Sequence, residues 1–357
     1  MRIAILGVGL IGGSVGLAAR EYVEGAEVVG HGRTPERLYR ARELGAIDRI
    51  AGSVEEAVEG AEVCFACAPV GALPVQVRQA LAAAGPDCVV TDVGSTKQYV
   101  VGSTADERFI GGHPIAGAET SGVEHARPDL FRDAVWYLTP GERSSGLLFE
   151  RLHRLLVGLG ARPVAIDADT HDRLLATVSH LPHVLANVLV SQAARVLASE
   201  DEPLPRVGPS FRDATRVAGA SSSIWTDILM ANREAVATEV EAAAARLGEV
   251  AASLRAGDPD ALTAWNERAA ADRRALLEAG LAGGEVHELR LTVPNRPGIV
   301  AQVALALGKG DVNIVDMALA PAPDMLSGAM TLWIAGDAQA ARAAELIGAL
   351  GFPVAES

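Results

Sequence analysis

The sequence predicts an α/β protein in three parts: a Rossmann-type dinucleotide-binding domain, an all-α domain, and a small α+β domain. Three observations carry this. Over residues 1–166 short apolar runs alternate with helical stretches, the pattern of a parallel, doubly wound sheet. Gly7-Val-Gly9-Leu10-Ile11-Gly12 follows the first of those runs and opens a helix. From about Asp169 the apolar period becomes that of long helices, and beyond Gly280 it returns to strand-like alternation.

The elements follow in order. Residues 2–6 read as a buried strand. The glycines after it permit a tight turn, close approach of a pyrophosphate and helix–strand packing, with the helix N-terminus favouring phosphate charge. Gly7, Gly9, Leu10, Ile11 and Gly12 are therefore the candidate phosphate-binding residues. The uncharged run from Ile3 to Ala19 after Arg2 also has the outline of a short signal sequence. Glycines at 7, 9, 12, 13 and 16 suit a nucleotide loop better than a signal's apolar helix. Val28-Val29-Gly30 reads as the second strand, where an acidic residue would hold the ribose hydroxyls of NAD. His31, Gly32, Arg33 and Thr34 stand there instead. Either Arg33 and Thr34 hold the 2′-phosphate of NADP, or Arg33 is solvated and NAD is held by backbone and Thr34; Gly32 and Arg33 tilt the choice slightly toward NADP.

Thr34-Pro35-Glu36 supplies an N-cap and a proline at the first helical position, and Ser53 to Glu56 fits a capping box. Val63 to Ala66 and Cys88 to Thr91 read as further strands. Asp92-Val-Gly94-Ser95-Thr96-Lys97 then falls at a strand's carboxyl end, where such sheets bind ligands. Ser95 either donates a hydrogen bond to substrate or to His113, or caps the next helix. Gly111-Gly112-His113-Pro114-Ile115-Ala116-Gly117 reads as a loop so poor in side chains that a ligand can approach its backbone beside one imidazole.

In the helical part, Leu174, Val178, Leu181, Leu185 and Val188 form an apolar stripe, and Pro182 is expected to kink the helix. Asp172 and His183 lie about 20° apart around an ideal helix, with His180 near the same face. These polar groups wall a pocket, or lie at the surface, or join His171 in a metal site. No further clustered carboxylates or cysteines complete a metal shell, so no metal is assigned. Arg212, Arg216 and Trp225 follow, and arginine's fork suits a carboxylate. Long Ala/Leu/Val-rich helices around 174–198 and 224–254 need partners for their apolar faces, which predicts a homodimer. Gly280 to Gly284 reads as a hinge, and the alternation beyond it gives the order βαββαβ. The expected domains are thus 1–166, 167–282 and 285–357.

A formal net charge of -14 argues against nucleic acid or an anionic membrane as partner. No uninterrupted apolar run beyond the N-terminus reaches the length of a membrane span. Cys64, Cys67 and Cys88 sit in apolar runs and read as buried, reduced thiols of a cytoplasmic protein. Lys97 and Lys309 are the only lysines.

Taken together, residues 1 to about 280 resemble the prephenate/arogenate dehydrogenase family of tyrosine biosynthesis. The resemblance rests on Gly7 to Ser14, Asp92 to Ser95, Gly111 to Gly122, His171-Asp172, Ser179-His-Leu-Pro-His183, and Phe211-x-Asp-x-Thr-Arg216 with Trp225. It implies oxidative decarboxylation of prephenate, or of arogenate, with hydride transfer to NAD or NADP. It further implies that His113 is the catalytic histidine assisted by Ser95, and that Arg216 binds the substrate carboxylate. Arg212, His183, Asp172, Glu119 and Trp225 are placed around the pocket by the same resemblance. Residues 285–357 resemble an ACT domain through Leu291 to Gly298 and Asp311 to Ile314. That likeness implies an aromatic amino-acid effector held near Asn295, Gly298, Asn313 and Ile314, with feedback inhibition by tyrosine. The other classes weighed are a non-catalytic NAD(P) and amino-acid sensor and a metal phosphohydrolase built on His171-Asp172.

Overall fold

The computed structural model describes residues 1–117, 120–197, 207–279, 286–294, 299, 302–303, 306–307, 310, 312, 314–322 and 326–356. The chain forms two compact units, Met1–Ala244 and Ala245–Ser357.

The first unit is built on an eight-stranded sheet. Its strands are β1 (Arg2–Leu6), β2 (Glu27–His31), β3 (Arg49–Ile50), β4 (Val63–Ala66), β5 (Val89–Asp92), β6 (Phe109–Pro114), β7 (Val135–Pro140) and β8 (Arg162–Ala165). Their spatial order is β3-β2-β1-β4-β5-β6-β7-β8. All neighbours are parallel except β6 and β7, which pair antiparallel. Two apolar layers cover the faces, one around Ile3, Ile5, Val15 and Trp136, the other around Ala4, Leu6, Val77 and Val90. Every residue of β4 and β5 is buried, as expected of a parallel strand covered on both sides. Cys64 and Cys88 lie in these layers, and burial pushes the Cys88 thiol up to about 11.

The glycine-rich segment corrects the sequence reading. Gly111, Gly112 and His113 belong to strand β6, and only Ile115 to Gly117 leave it. A Cβ on Gly112 would lie 2.7 Å from the Thr91 hydroxyl and 3.1 Å from the Trp136 indole nitrogen, and one on Gly111 would strike the Thr139 hydroxyl. These glycines admit neighbouring strands and a tryptophan; they do not make a turn.

The helical continuation runs through Ala168–Leu175, a π-turn at Ala176–His180, and Leu181–Leu197. Pro182 cannot donate its missing N–H, and the widened turn lies just ahead of it. The inward face of this helix is largely polar or small: His171, Asp172, Ala176, His180, His183 and Ala186 are buried, with Leu175 the one large apolar residue among them. The apolar stripe points the other way, with Val178 59% and Val188 58% exposed. Averaged over a window, Ala168–Arg195 reaches a mean hydropathy of 1.4 and is long enough to cross a membrane, although no unbroken apolar run exists. The buried histidines and Asp172 tie this helix to the sheet instead.

In the second unit, β9 (Val286–Pro294), β10 (Ile314–Pro321), β11 (Ser327–Ala335) and β12 (Val354–Glu356) form an antiparallel sheet in the order β10-β11-β9-β12. Helix Asp337–Ala349 packs Ala340, Ala343 and Ile347 onto Leu289, Leu291 and Leu332. The Arg273 guanidinium of helix Pro259–Ala279 lies over the Trp333 ring at 4.6 Å. Asn295, Gly298 and Asn313 lie outside the described residues, whereas Ile314 opens β10.

Candidate active site

The carboxyl edge of the first sheet holds two features. The first is the turn after β1. Gly7 has φ +105°, a value that favours glycine, and its N–H donates to the His31 carbonyl at 2.8 Å. A Cβ on Gly12 would collide with the Gly7 carbonyl, so the third glycine is fixed by packing. Gly9 has open space where its Cβ would stand. This cradle fits a dinucleotide pyrophosphate approaching the N-terminus of helix Leu10–Tyr22. Leu10 and Ile11 open that helix, and Arg33 and Thr34 are exposed at the rim of a neighbouring cavity of about 560 Å³.

The second feature is a chain of hydrogen bonds ending at His113, which is 8% exposed on β6. His113 Nδ1 lies 2.9 Å from His171 Nε2, and His171 Nδ1 lies 2.8 Å from Asp172 Oδ1. The rings meet edge to face. These contacts fix the tautomers. A carboxylate only accepts, so His171 carries its proton on Nδ1 and presents a lone pair at Nε2. His113 must then donate from Nδ1, which leaves Nε2 as a proton acceptor with no partner among the described residues.

Asp172 is itself held rigidly. Its oxygens accept the backbone N–H of Lys97 at 2.7 Å and of Gln98 at 2.9 Å. Together with His171 Nδ1, these donors occupy both of its oxygens. A buried ion pair fixes the other side. Lys97 is fully buried, pairs with Asp92, and donates to the Gly112 carbonyl at 2.6 Å, one residue before His113. Asp92 also accepts from the N–H of Gly94 and of Gly112. Burial, followed by the Lys97 charge, holds the His113 imidazole well below its ordinary pKa. It is neutral near pH 7, in the form a proton acceptor needs.

Burial likewise brings His180 down to about 4; its Nδ1 lies 3.2 Å from the Asn232 amide, which donates to the Asp172 carbonyl at 2.7 Å. His183 stacks on Trp225, with centroids 3.6 Å apart and planes within 2°. Burial lowers the His183 pKa, opposed by a hydrogen bond with the Val217 backbone. Val217 sits in the 3-10 turn that begins at Arg216, so this turn rests against His183. Arg216 and Arg212 are exposed on that turn and the preceding helix Pro209–Thr215. Ser95 is half-buried and forms no hydrogen bond to His113. Glu119 lies outside the described residues. Among the described residues no three His, Cys, Asp or Glu side chains are placed to share a metal ion.

Sequence reading missed three residues here. It weighed His171 for metal rather than as the partner of His113, and it gave Lys97 and Asn232 no part. Lys97 had a signal of its own: it is one of two lysines in an arginine-rich chain, five residues after an aspartate. Asn232 had none.

A doubly wound sheet with such a turn, joined to a helix that brings imidazoles to its carboxyl edge, defines a nucleotide-dependent dehydrogenase with a helical second domain. Comparison with known proteins narrows this. Residues 15–165 match the nucleotide-binding domain of prephenate dehydrogenase, and residues 167–267 match its dimerization domain. The chain belongs to the prephenate dehydrogenase family. It is 31% identical to the prephenate dehydrogenase of Bacillus subtilis (strain 168), over 97% of this chain and 95% of that one. It is 33% identical to the prephenate dehydrogenase of Lactococcus lactis subsp. cremoris (strain MG1363), over 86% of each. The solved structure of prephenate dehydrogenase from A. aeolicus, in complex with hydroxyphenyl propionate and NAD+, aligns with a TM-score of 0.70 at 27% identity, covering 77% of this chain and 98% of that one.

Proposed function

We propose that this chain oxidatively decarboxylates prephenate to 4-hydroxyphenylpyruvate, with NAD or NADP as hydride acceptor, and that His113 is the base. The observation that carries this reading is the Asp172–His171–His113 chain, which leaves a neutral Nε2 lone pair on the same carboxyl edge of the sheet as the phosphate turn. When bound, the nicotinamide supplies the electron sink for the hydride from the hydroxyl-bearing ring carbon. His113 Nε2 accepts the ring hydroxyl proton as carbonyl character develops there, and the substrate's carboxylate departs as CO₂ with its bonding pair entering the ring. Aromatisation turns the carbonyl into a phenolate, to which His113 returns the proton to give the phenol. The reaction is downhill, so the protein chiefly orients its reactants and polarises one O–H bond. As His113 charges, Asp172 stabilises the imidazolium through His171. Arg216, with Arg212, binds a substrate carboxylate in this account, and Ser95, Glu119, His183 and Trp225 complete the pocket.

Steady-state rates with prephenate and arogenate, each with NAD and NADP, test the reading. Turnover of prephenate with release of CO₂ supports it, and turnover of arogenate alone selects the family's other substrate. No turnover of either substrate would favour a sensor. The exposed stripe of Val178, Leu185 and Val188 in the dimerization domain supports a homodimer, and buried, unpaired Cys64 and Cys88 are in keeping with the cytoplasm. Helical residues at 299, 302–303 and 306–307 between β9 and β10, and the sheet order β10-β11-β9-β12, support an ACT-like module that senses tyrosine. The domain limits 1–166, 167–282 and 285–357 follow from these roles.

A further inference from the structure

The cavity beside the glycine-rich turn has an unusual electrostatic character. Arg33 and Arg37 both line it, together with Thr34 and Gly32, and no aspartate or glutamate does. Neither arginine has an ion-pair or hydrogen-bond partner among the described residues. Arginines nearby behave differently: Arg20, Arg40 and Arg49 are paired with Asp48, Glu43 and Glu56. Thr34 is the N-cap of helix Pro35–Glu43, yet its hydroxyl makes no capping bond. The side chain is therefore free for a ligand, at the end of a helix that favours negative charge.

Gly32 supplies an independent observation. A Cβ there would meet only the Leu38 side chain, at 3.6 Å, which is ordinary contact. Two residues earlier, a Cβ on Gly30 would press on Ile47 at 2.7 Å. The fold imposes glycine at 30 but not at 32. A carboxylate at 32 would fit sterically, and its absence leaves the cavity wall with two arginines and no acidic side chain.

We propose that Arg33, Arg37 and the Thr34 hydroxyl form a subsite for the 2′-phosphate of a phosphorylated dinucleotide, and that Gly32 is the position that admits it. The proposal rests on the nucleotide-dependent reading above and deepens it. Two exposed guanidinium groups flanking one dianion bind through charge-assisted hydrogen bonds, which salt screens.

The test uses the full chain and adenosine fragments, with no substrate present. Isothermal titration compares 2′,5′-ADP with 5′-AMP, and then NADP with NAD. The wild type should bind 2′,5′-ADP about tenfold or more tighter than 5′-AMP, the worth of a charge-assisted contact, and the margin should shrink with salt. Arg33→Ala/Arg37→Ala should erase that margin while leaving 5′-AMP unchanged. Gly32→Asp should weaken 2′,5′-ADP and shift the dinucleotide preference to NAD. Equal binding of the two fragments by the wild type overturns the proposal, as does a parallel loss of both in the double variant at unchanged melting temperature. A chain that binds 2′,5′-ADP tightly but leaves prephenate untouched would refute the function and keep the subsite; prephenate turnover with indifference to the 2′-phosphate would do the reverse.

Discussion

Replacing His171 by alanine removes the link between Asp172 and His113 without touching either. In the native chain His113 donates from Nδ1 to His171 at 2.9 Å, and that acceptor is polarised by Asp172 at 2.8 Å. The bond strengthens when His113 takes up a proton, so its loss falls mainly on the transition state. A hydrogen bond of this charged kind contributes about 1.5–3 kcal/mol, which corresponds to roughly ten- to a hundredfold in kcat, or slightly more. KM should change little. His171 is fully buried, and losing its ring leaves a cavity that destabilises the fold by roughly 2–4 kcal/mol. Asp172 keeps its two backbone donors at Lys97 and Gln98, so it is not left as a bare buried charge. His171→Gln retains an acceptor and should lose less activity than His171→Ala at similar stability. The assay is steady-state kinetics with melting temperature measured alongside. A folded His171→Ala enzyme that keeps more than half of its kcat would refute the relay.

Arg216→Ala should raise KM for substrate, by about 2–5 kcal/mol of binding if the guanidinium meets a desolvated carboxylate, and unchanged kinetics would count against that role. Acid should destabilise the protein through its buried neutral histidines. His180 titrates near 6.5 unfolded and at about 4 folded, so its contribution is complete above pH 6.5 and is lost as pH falls toward 4. The loss from this ring is roughly 3 kcal/mol, His113 adds to it in the same direction, and denaturant midpoints across that range measure the sum. For the same reason kcat/KM of folded enzyme should show no acid limb near pH 6.5 from His113; an inflection there would contradict its lowered pKa. Deleting residues 285–357 should abolish tyrosine inhibition while catalysis survives, and inhibition persisting in the truncated enzyme would place tyrosine at the active site.

What the sequence disclosed was local in origin. Gly7 and Gly12 announce their turn because one holds a positive φ and the other has no room for a Cβ against the Gly7 carbonyl, both within one strand–turn–helix unit. Strands β9 and β11 alternate visibly because each presents one face to a single core. His171 and His113 are 58 residues apart, and nothing within either segment says that a helix will lay one ring against the other. Gly111 and Gly112 misled because glycine serves turns and close packing alike; the crowding that decides comes from Thr91, Trp136 and Thr139 on other strands. The stripe from Leu174 to Val188 was legible as periodicity, but periodicity does not say whether a face meets its own chain. The buried face carries polar groups held by Lys97, Asn232 and Trp225, and Val178, Leu185 and Val188 of the apolar stripe lie exposed on this chain.

The most direct test of the account is His113→Asn, assayed with prephenate and the preferred dinucleotide. Reduced nicotinamide, CO₂ and 4-hydroxyphenylpyruvate should appear in equal amounts with the wild type. The variant should still bind dinucleotide, keep KM close to the wild-type value, and lose roughly 10²–10⁴ in kcat, the usual worth of a general base. A variant that retains most of its kcat would show that Nε2 of His113 is not where the proton goes.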